Sequence, residues 1–148
     1  MAEDQGVNGD KWNDYVVHLL SQFGWEKVGD TNMDLKGEDG ERGGVDAIMV
    51  YEQPGKTLKR SVIVESKRYM KSSYSASKLY GWLTVLNKKL DIFRNSEDIL
   101  EQYPFLQDCE EIKHGVILNW ITDADDEFLD SYRGHFLGHL HSSVDKET

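Results

Sequence analysis

Two short apolar runs with strand periodicity constrain this chain more than any other feature. They are Val45-Asp46-Ala47-Ile48-Met49-Val50-Tyr51 and Ser61-Val62-Ile63-Val64-Glu65-Ser66-Lys67. The segment between them carries Pro54 and Gly55, residues that favour a turn, so the runs are expected to pair as an antiparallel hairpin. Side chains alternate faces along a strand, which points Glu65 and Lys67 the same way and Ser66 the other. The hairpin then brings Asp46 next to Glu65. Two carboxylates can hold a hard divalent cation through oxygen, and an ammonium beside them can orient or deprotonate an attacking water. Such a set suits metal-assisted hydrolysis of a phosphodiester. The plainer reading is a surface ion pair, with Lys67 neutralising Glu65.

Gly43-Gly44-Val45-Asp46-Ala47-Ile48, a loop, then Val62-Ile63-Val64-Glu65-Ser66-Lys67 resembles the core motif of the PD-(D/E)XK, or restriction-endonuclease-like, nucleases. Within them the nearest look is to methyl-directed restriction enzymes and archaeal-type Holliday-junction resolvases. The likeness runs from about Gly9 to about Ile121 and is specific between Gly43 and Lys67. It implies Asp46, Glu65 and Lys67 as catalytic residues. Asp46, Glu65 and the Ser66 backbone carbonyl would be ligands of Mg²⁺, with Mn²⁺ able to substitute. The family usually adds an acid early in the first helix; here that position falls on Asn13, with Asp14 one step away, and either would reach the metal only through water. The usual proline before the first acid is replaced by Val45.

Net charge is −10, which at first argues against a nucleic-acid partner. Its distribution argues otherwise. Residues 56–94 hold ten basic and two acidic residues, whereas 1–55 hold four and twelve, and 95–148 hold three and thirteen. The basic block surrounds Glu65-Ser66-Lys67. Lys56, Lys59, Arg60, Arg68, Lys71 and Lys78 are its candidates for phosphate contact, while Lys88, Lys89 and Arg94 fit a solvated helix face.

The 148 residues suit one domain, with about eight residues at the start and seven at the end expected to be flexible. A single cysteine, Cys109, suits a reducing compartment, and its acidic neighbours would raise the thiol pKa. No apolar run reaches membrane-spanning length and no signal peptide is evident, so a cytoplasmic protein is expected. Asp10 is a candidate N-cap for a helix carrying Trp12, Val16, Leu19, Leu20 and Phe23, closed by Gly24. A short extended segment follows around Trp25–Val28. Residues 30–44 read as a polar loop containing Glu38, Asp39 and Glu41, acids expected to be solvated rather than to hold a second metal. A polar loop at 71–76 is followed by a long helix with Leu79, Trp82, Leu83, Leu86, Leu90 and Phe93 inward. Ser96 would cap a shorter helix ending before Pro104. Gly115–Ile121 reads as a buried strand, and Asp123 as the cap of a last helix with Phe128, Leu129, Tyr132, Phe136 and Leu140 inward. The order implies an α/β fold: a restriction-endonuclease-like core with a mixed sheet of about four or five strands flanked by helices.

His135, His139 and His141 have spacing that can bind zinc, but surface positions suit them better, and His18 and His114 stand alone. Ser66 has no implied partner that would make it a nucleophile. The expectation is a Mg²⁺-dependent endodeoxyribonuclease acting in restriction, antiphage defence, recombination or repair. Two other readings stay open: an inactive nuclease-fold module for DNA binding or complex assembly, and a nuclease acting on RNA. One such domain cuts one strand, so double-strand cleavage would need a homodimer or a partner subunit, through the last helix or the one bearing Trp82.

Overall fold

In a computed structural model, which describes residues 7–30, 33–36, 42–95 and 97–136, the two apolar runs form adjacent strands at the centre of the molecule. Ala47–Tyr51 (β4) pairs antiparallel with Lys59–Tyr69 (β5), in a register that sets Ala47 opposite Val64 and Ile48 opposite Ile63. Glu26–Val28 (β1) lies antiparallel on the free side of β4, and Cys109–Ile121 (β6) lies parallel to β5. The result is a four-stranded mixed sheet in the order β1-β4-β5-β6. Val62, Ile63 and Val64 are buried on both faces of β5, as an unbroken β-branched run should be in a central strand.

Strand alternation sorts these residues into two cores. Ile48 and Ile63, each 0% exposed, pack with Leu86, Leu90 and Phe93 of the helix Ala76–Asn95 (α2), Ile99 of Glu97–Gln102 (α3), and Leu106. Ala47, Met49 and Val64 pack on the other face with Val16 and Leu20 of Val7–Ser21 (α1). Helices therefore cover the sheet on both faces, as expected for this class. Gly115 of β6 lets α2 approach closely, since a Cβ there would meet Leu86 Cδ1 at 2.7 Å.

Helix α1 ends as its sequence implies. Gly24 takes φ +82°, its N–H donates to Ser21 O at 3.0 Å, and Trp25 N–H donates to Leu20 O at 3.3 Å. This is the Schellman arrangement, with Trp25 and Leu20 sharing one apolar cluster.

Several local expectations are corrected. Helix α1 begins at Val7, so Asp10 lies within it rather than at its cap. Phe23 is 72% exposed, because it follows the last helical turn and leaves the inward stripe. Residues 30–44 contain two strands, Met33–Lys36 (β2) and Arg42–Val45 (β3), paired antiparallel as a separate two-stranded sheet. Glycine and acid content masked them from a reading based on apolar periodicity. Strand β6 starts at Cys109 and is the sheet's edge; Gly115–Ile121 is half-buried, an environment an apolar run fits as well as a covered one.

The cap of the last helix, Asp126–Ser131 (α4), is Asp125, whose side chain accepts from Phe128 N–H at 2.8 Å. Asp123 instead accepts from Lys71 N–H at 2.7 Å. Both acids are competent caps, and only the chain path chooses between them. Leu129 is 42% exposed, whereas Phe128 and Tyr132 are half-buried. The acids at 38, 39 and 41, the cap at Ser96, Leu140, and the flexibility expected for residues 1–6 and 142–148 lie outside the described residues, and the Phe136 side chain is likewise not described. No described helix is long and apolar enough to cross a membrane.

Candidate active site

The β4–β5 ladder stops at the Ala47–Val64 pair, and one residue earlier the chain bends at Asp46. The Asp46 carboxylate continues the ladder as a side chain: Oδ2 accepts from the Ser66 backbone N–H at 2.7 Å. A residue in a strand directs its N–H and C=O to the same edge, so the Ser66 carbonyl also faces the edge where Asp46 sits. Oδ1 of Asp46 accepts from Asn13 Nδ2 at 3.4 Å, a long bond that reaches across from α1. Asn13 is 7% exposed; Asp14, about 100° further round the helix, is exposed. The structure thus brings Asn13 to Asp46.

Glu65 is 6% exposed and lies on the α2 face of the sheet, two residues beyond Ile63. Its Oε1 accepts a charged hydrogen bond from Lys89 Nζ of α2. Burial pushes the Glu65 carboxyl above its ordinary pKa; the hydrogen bond from Lys89 opposes that, the charge of Asp46 adds to it, and the charge of Lys67 lowers it. Asp46 and Lys67 are therefore each within electrostatic range of Glu65. Lys67 sits on the Glu65 side of β5 by strand parity, half-buried. The counter-ion assigned to Glu65 by sequence, Lys67, is joined by one that sequence reasoning placed on a solvated helix face. A signal for Lys89 existed: it lies between Leu86, Leu90 and Phe93 on the inward stripe of α2, where a lysine needs a partner.

Asn119 was also missed. It stands beside Lys67 in the parallel β5–β6 register, and its Nδ2 donates to Tyr74 Oη at 3.5 Å. Its Oδ1 is the one buried side-chain polar atom without a hydrogen-bond partner among the described residues. On the opposite face, Trp120 Nε1 donates to Ser66 Oγ at 3.1 Å, which ties that hydroxyl down.

The basic residues divide between the two ends of β5. Arg68 lies over the Trp12 ring at 4.9 Å, Lys78 lies over Tyr69 at 4.7 Å, and Lys71 pairs with Asp125 at 2.6 Å, all at or just beyond the C-terminal end of β5. Lys59 pairs with Glu26 at 3.2 Å and Arg60 with Glu110 at 3.6 Å, at the start of the strand. Strand rise puts Lys59 about 20 Å along β5 from Glu65. Lys56, exposed in the β4–β5 turn, belongs to that remote end.

Cys109 is half-buried, with its Sγ 3.6 Å from Phe105 O; burial first, then Asp108, raises its thiol pKa. His18 is exposed, its Nε2 3.3 Å from Gln22 Nε2, and His114 is exposed as well. The side chains of His135, His139 and His141 lie outside the described residues. Among the described residues no group of three or more His, Cys, Asp or Glu stands together in a way that could hold a metal ion.

A family model described as the GAPS4 protein PD-(D/E)XK nuclease domain matches residues 1–144. No curated protein matches the chain, and no solved structure does. With a match across almost its whole length, and an aspartate and a Glu-x-Lys meeting where β4 and β5 part, the chain belongs to the PD-(D/E)XK nuclease domain family of the GAPS4 protein.

Proposed function

We propose that the chain is a divalent-metal-dependent endonuclease of DNA, acting as one nuclease-like unit in the cytoplasm, with Asp46, Glu65 and Lys67 at its centre. The observation that carries this reading is the Asp46–Ser66 hydrogen bond, which pins one acid against the backbone next to the other. PD-(D/E)XK nucleases generally use divalent metals. The donors fit such an ion: every one is a hard oxygen, and each carboxylate oxygen has a second lone pair beyond the hydrogen bond it accepts. Asp46, Glu65 and the Ser66 carbonyl would hold Mg²⁺ or Mn²⁺, with Asn13 reaching it through water. When bound, the cation supplies Lewis acidity toward the phosphodiester and its attacking water.

The chain's own residues do the rest. Lys67, on the Glu65 face, orients the attacking water or takes its proton as the water attacks in line. The P–O bond to the leaving sugar oxygen breaks, that oxygen taking a proton from solvent. Lys67 also meets the negative charge that builds on the phosphate oxygens. Arg68, Lys71 and Lys78, near the same end of β5, take backbone phosphates. These contacts position a duplex without reading bases. The likeness to restriction enzymes and the GAPS4 family assignment support a role in restriction of foreign DNA as antiphage defence. A homodimer or partner subunit would supply the second cut of a double-strand break.

A second reading, an inactive assembly module, is favoured by one observation: a neutral Asn13 stands where the family usually has an acid. One experiment separates the readings. Supercoiled plasmid, branched DNA and structured RNA are each incubated with protein and Mg²⁺ or Mn²⁺. DNA nicking that EDTA abolishes, and that Lys67→Met lowers about 10²–10³-fold, is expected. Wild-type rates in Lys67→Met or Asp46→Asn would refute the assignment, preferential RNA cleavage would move the substrate, and no cleavage would favour the module.

A further inference from the structure

The geometry points to Lys89 as a built-in stand-in for the metal: its ammonium holds a Glu65 oxygen in the metal-free protein and cedes it when a divalent ion binds. This inference rests on the metal-site reading of Asp46 and Glu65.

A carboxylate as buried as Glu65 calls for a positive partner. Lys89 is that partner. Its side chain is 16% exposed and that of Glu65 7%, so the pair is made away from bulk water. The lysine comes from α2, at a position flanked by the core residues Leu86, Leu90 and Phe93, while the next residue back, Lys88, is exposed. The placement is specific to the site rather than part of a charged helix surface.

Exchange is built into the chemistry. The oxygen that Lys89 holds belongs to one of the two carboxylates that meet here among the described residues, and a dication drawing on both acids competes with the ammonium for it. Lysine is a point charge on a flexible stem and can swing aside, where an arginine fork would stay. Metal loading therefore works against an internal competitor, which keeps affinity low in the free protein.

Two measurements test this. Calorimetric titration of MnCl₂ at pH 8.5 compares wild type, Lys89→Met and Asp46→Asn. Lys89→Met should bind about tenfold tighter than wild type, and Asp46→Asn should lose binding. The second uses the unaltered protein: acetylation of lysine amines, read by mass spectrometry with and without Mg²⁺. Lys89 should become several-fold more reactive with metal bound, relative to Lys88, consistent with release from a 16% exposed pair. If Lys89 stays protected with Mg²⁺ bound, or if Lys89→Met binds equally or more weakly, the ion pair is structural and the proposal is overturned while the metal site stands. If Lys89→Met does not fold, labelling alone decides. Wild-type binding that Asp46→Asn leaves unchanged, or no binding at all, removes the metal-site reading and this proposal with it.

Discussion

Asp46 closes the β4–β5 ladder with its side chain, accepting the Ser66 backbone N–H at 2.7 Å across 20 positions of sequence. The bond has a structural and a chemical half, which two substitutions separate. Asp46→Asn keeps an oxygen acceptor, so it should fold with stability within about 1 kcal/mol of wild type while losing cleavage about 10³-fold or more. Asp46→Ala leaves a buried N–H unpaired and should cost about 1–3 kcal/mol as well. Urea unfolding beside a plasmid-nicking assay reads both; equal stability of the two variants would remove the structural half.

Glu65 gives the protein a defined pH response. Its folded pKa is raised above 4.5, chiefly by burial, so between that value and the folded pKa the native state holds more protons than the unfolded chain. Stability in this window falls as pH rises. Glu65→Gln removes the titration, and its stability relative to wild type should grow from pH 4 upward until Glu65 is fully ionised. Urea melts at pH steps from 4 to 8 check this; a pH-independent difference would contradict it.

Asn13 contributes a neutral amide beside Asp46, where the proposed cation would sit. Asn13→Asp would place a third carboxylate beside Asp46, where the amide now donates at 3.4 Å. In EDTA the variant should lose about 1 kcal/mol of stability, and it should bind Mn²⁺ about tenfold tighter, because affinity in such sites follows ligand charge. Thermal unfolding with and without Mn²⁺, together with calorimetric titration, tests both halves.

The two ends of β5 should behave differently toward DNA. Arg68→Ala and Lys78→Ala should each weaken duplex binding several-fold and reduce the salt slope by about one. Lys56→Ala, at the remote turn, should leave both nearly unchanged. Fluorescence anisotropy across a salt series measures this, and equal losses at all three positions would sink the spatial division.

Gly115 is required by packing. Its Cβ would meet Leu86 Cδ1 at 2.7 Å and Cγ at 2.8 Å, so the whole Leu86 side chain would have to turn. Gly115→Ala should cost about 1–3 kcal/mol. Combined with Leu86→Ala, the two losses should be less than additive, since the second change makes room for the first. A double-mutant cycle in urea decides it.

The sequence by itself determined the features that backbone periodicity dictates. Alternation along Val62–Lys67 set Glu65 and Lys67 on one face, and the apolar runs on either side of Pro54-Gly55 specified a hairpin whose pairing carries Asp46 to the Glu65 end. Gly24 closed the first helix because it alone takes a positive φ there without strain. Contacts between elements were decided only by tertiary packing. The Lys89–Glu65 pair depends on how α2 lies on the sheet, 24 positions away in sequence. The Asn13–Asp46 contact depends likewise on α1, 33 positions away. The same holds for the basic residues: Lys59 and Arg68 are neighbours in composition, but an extended strand separates them by about 30 Å. A strand's period is local and survives in the residue order, whereas the meeting of a helix face with a strand end is set by the packing of the whole core.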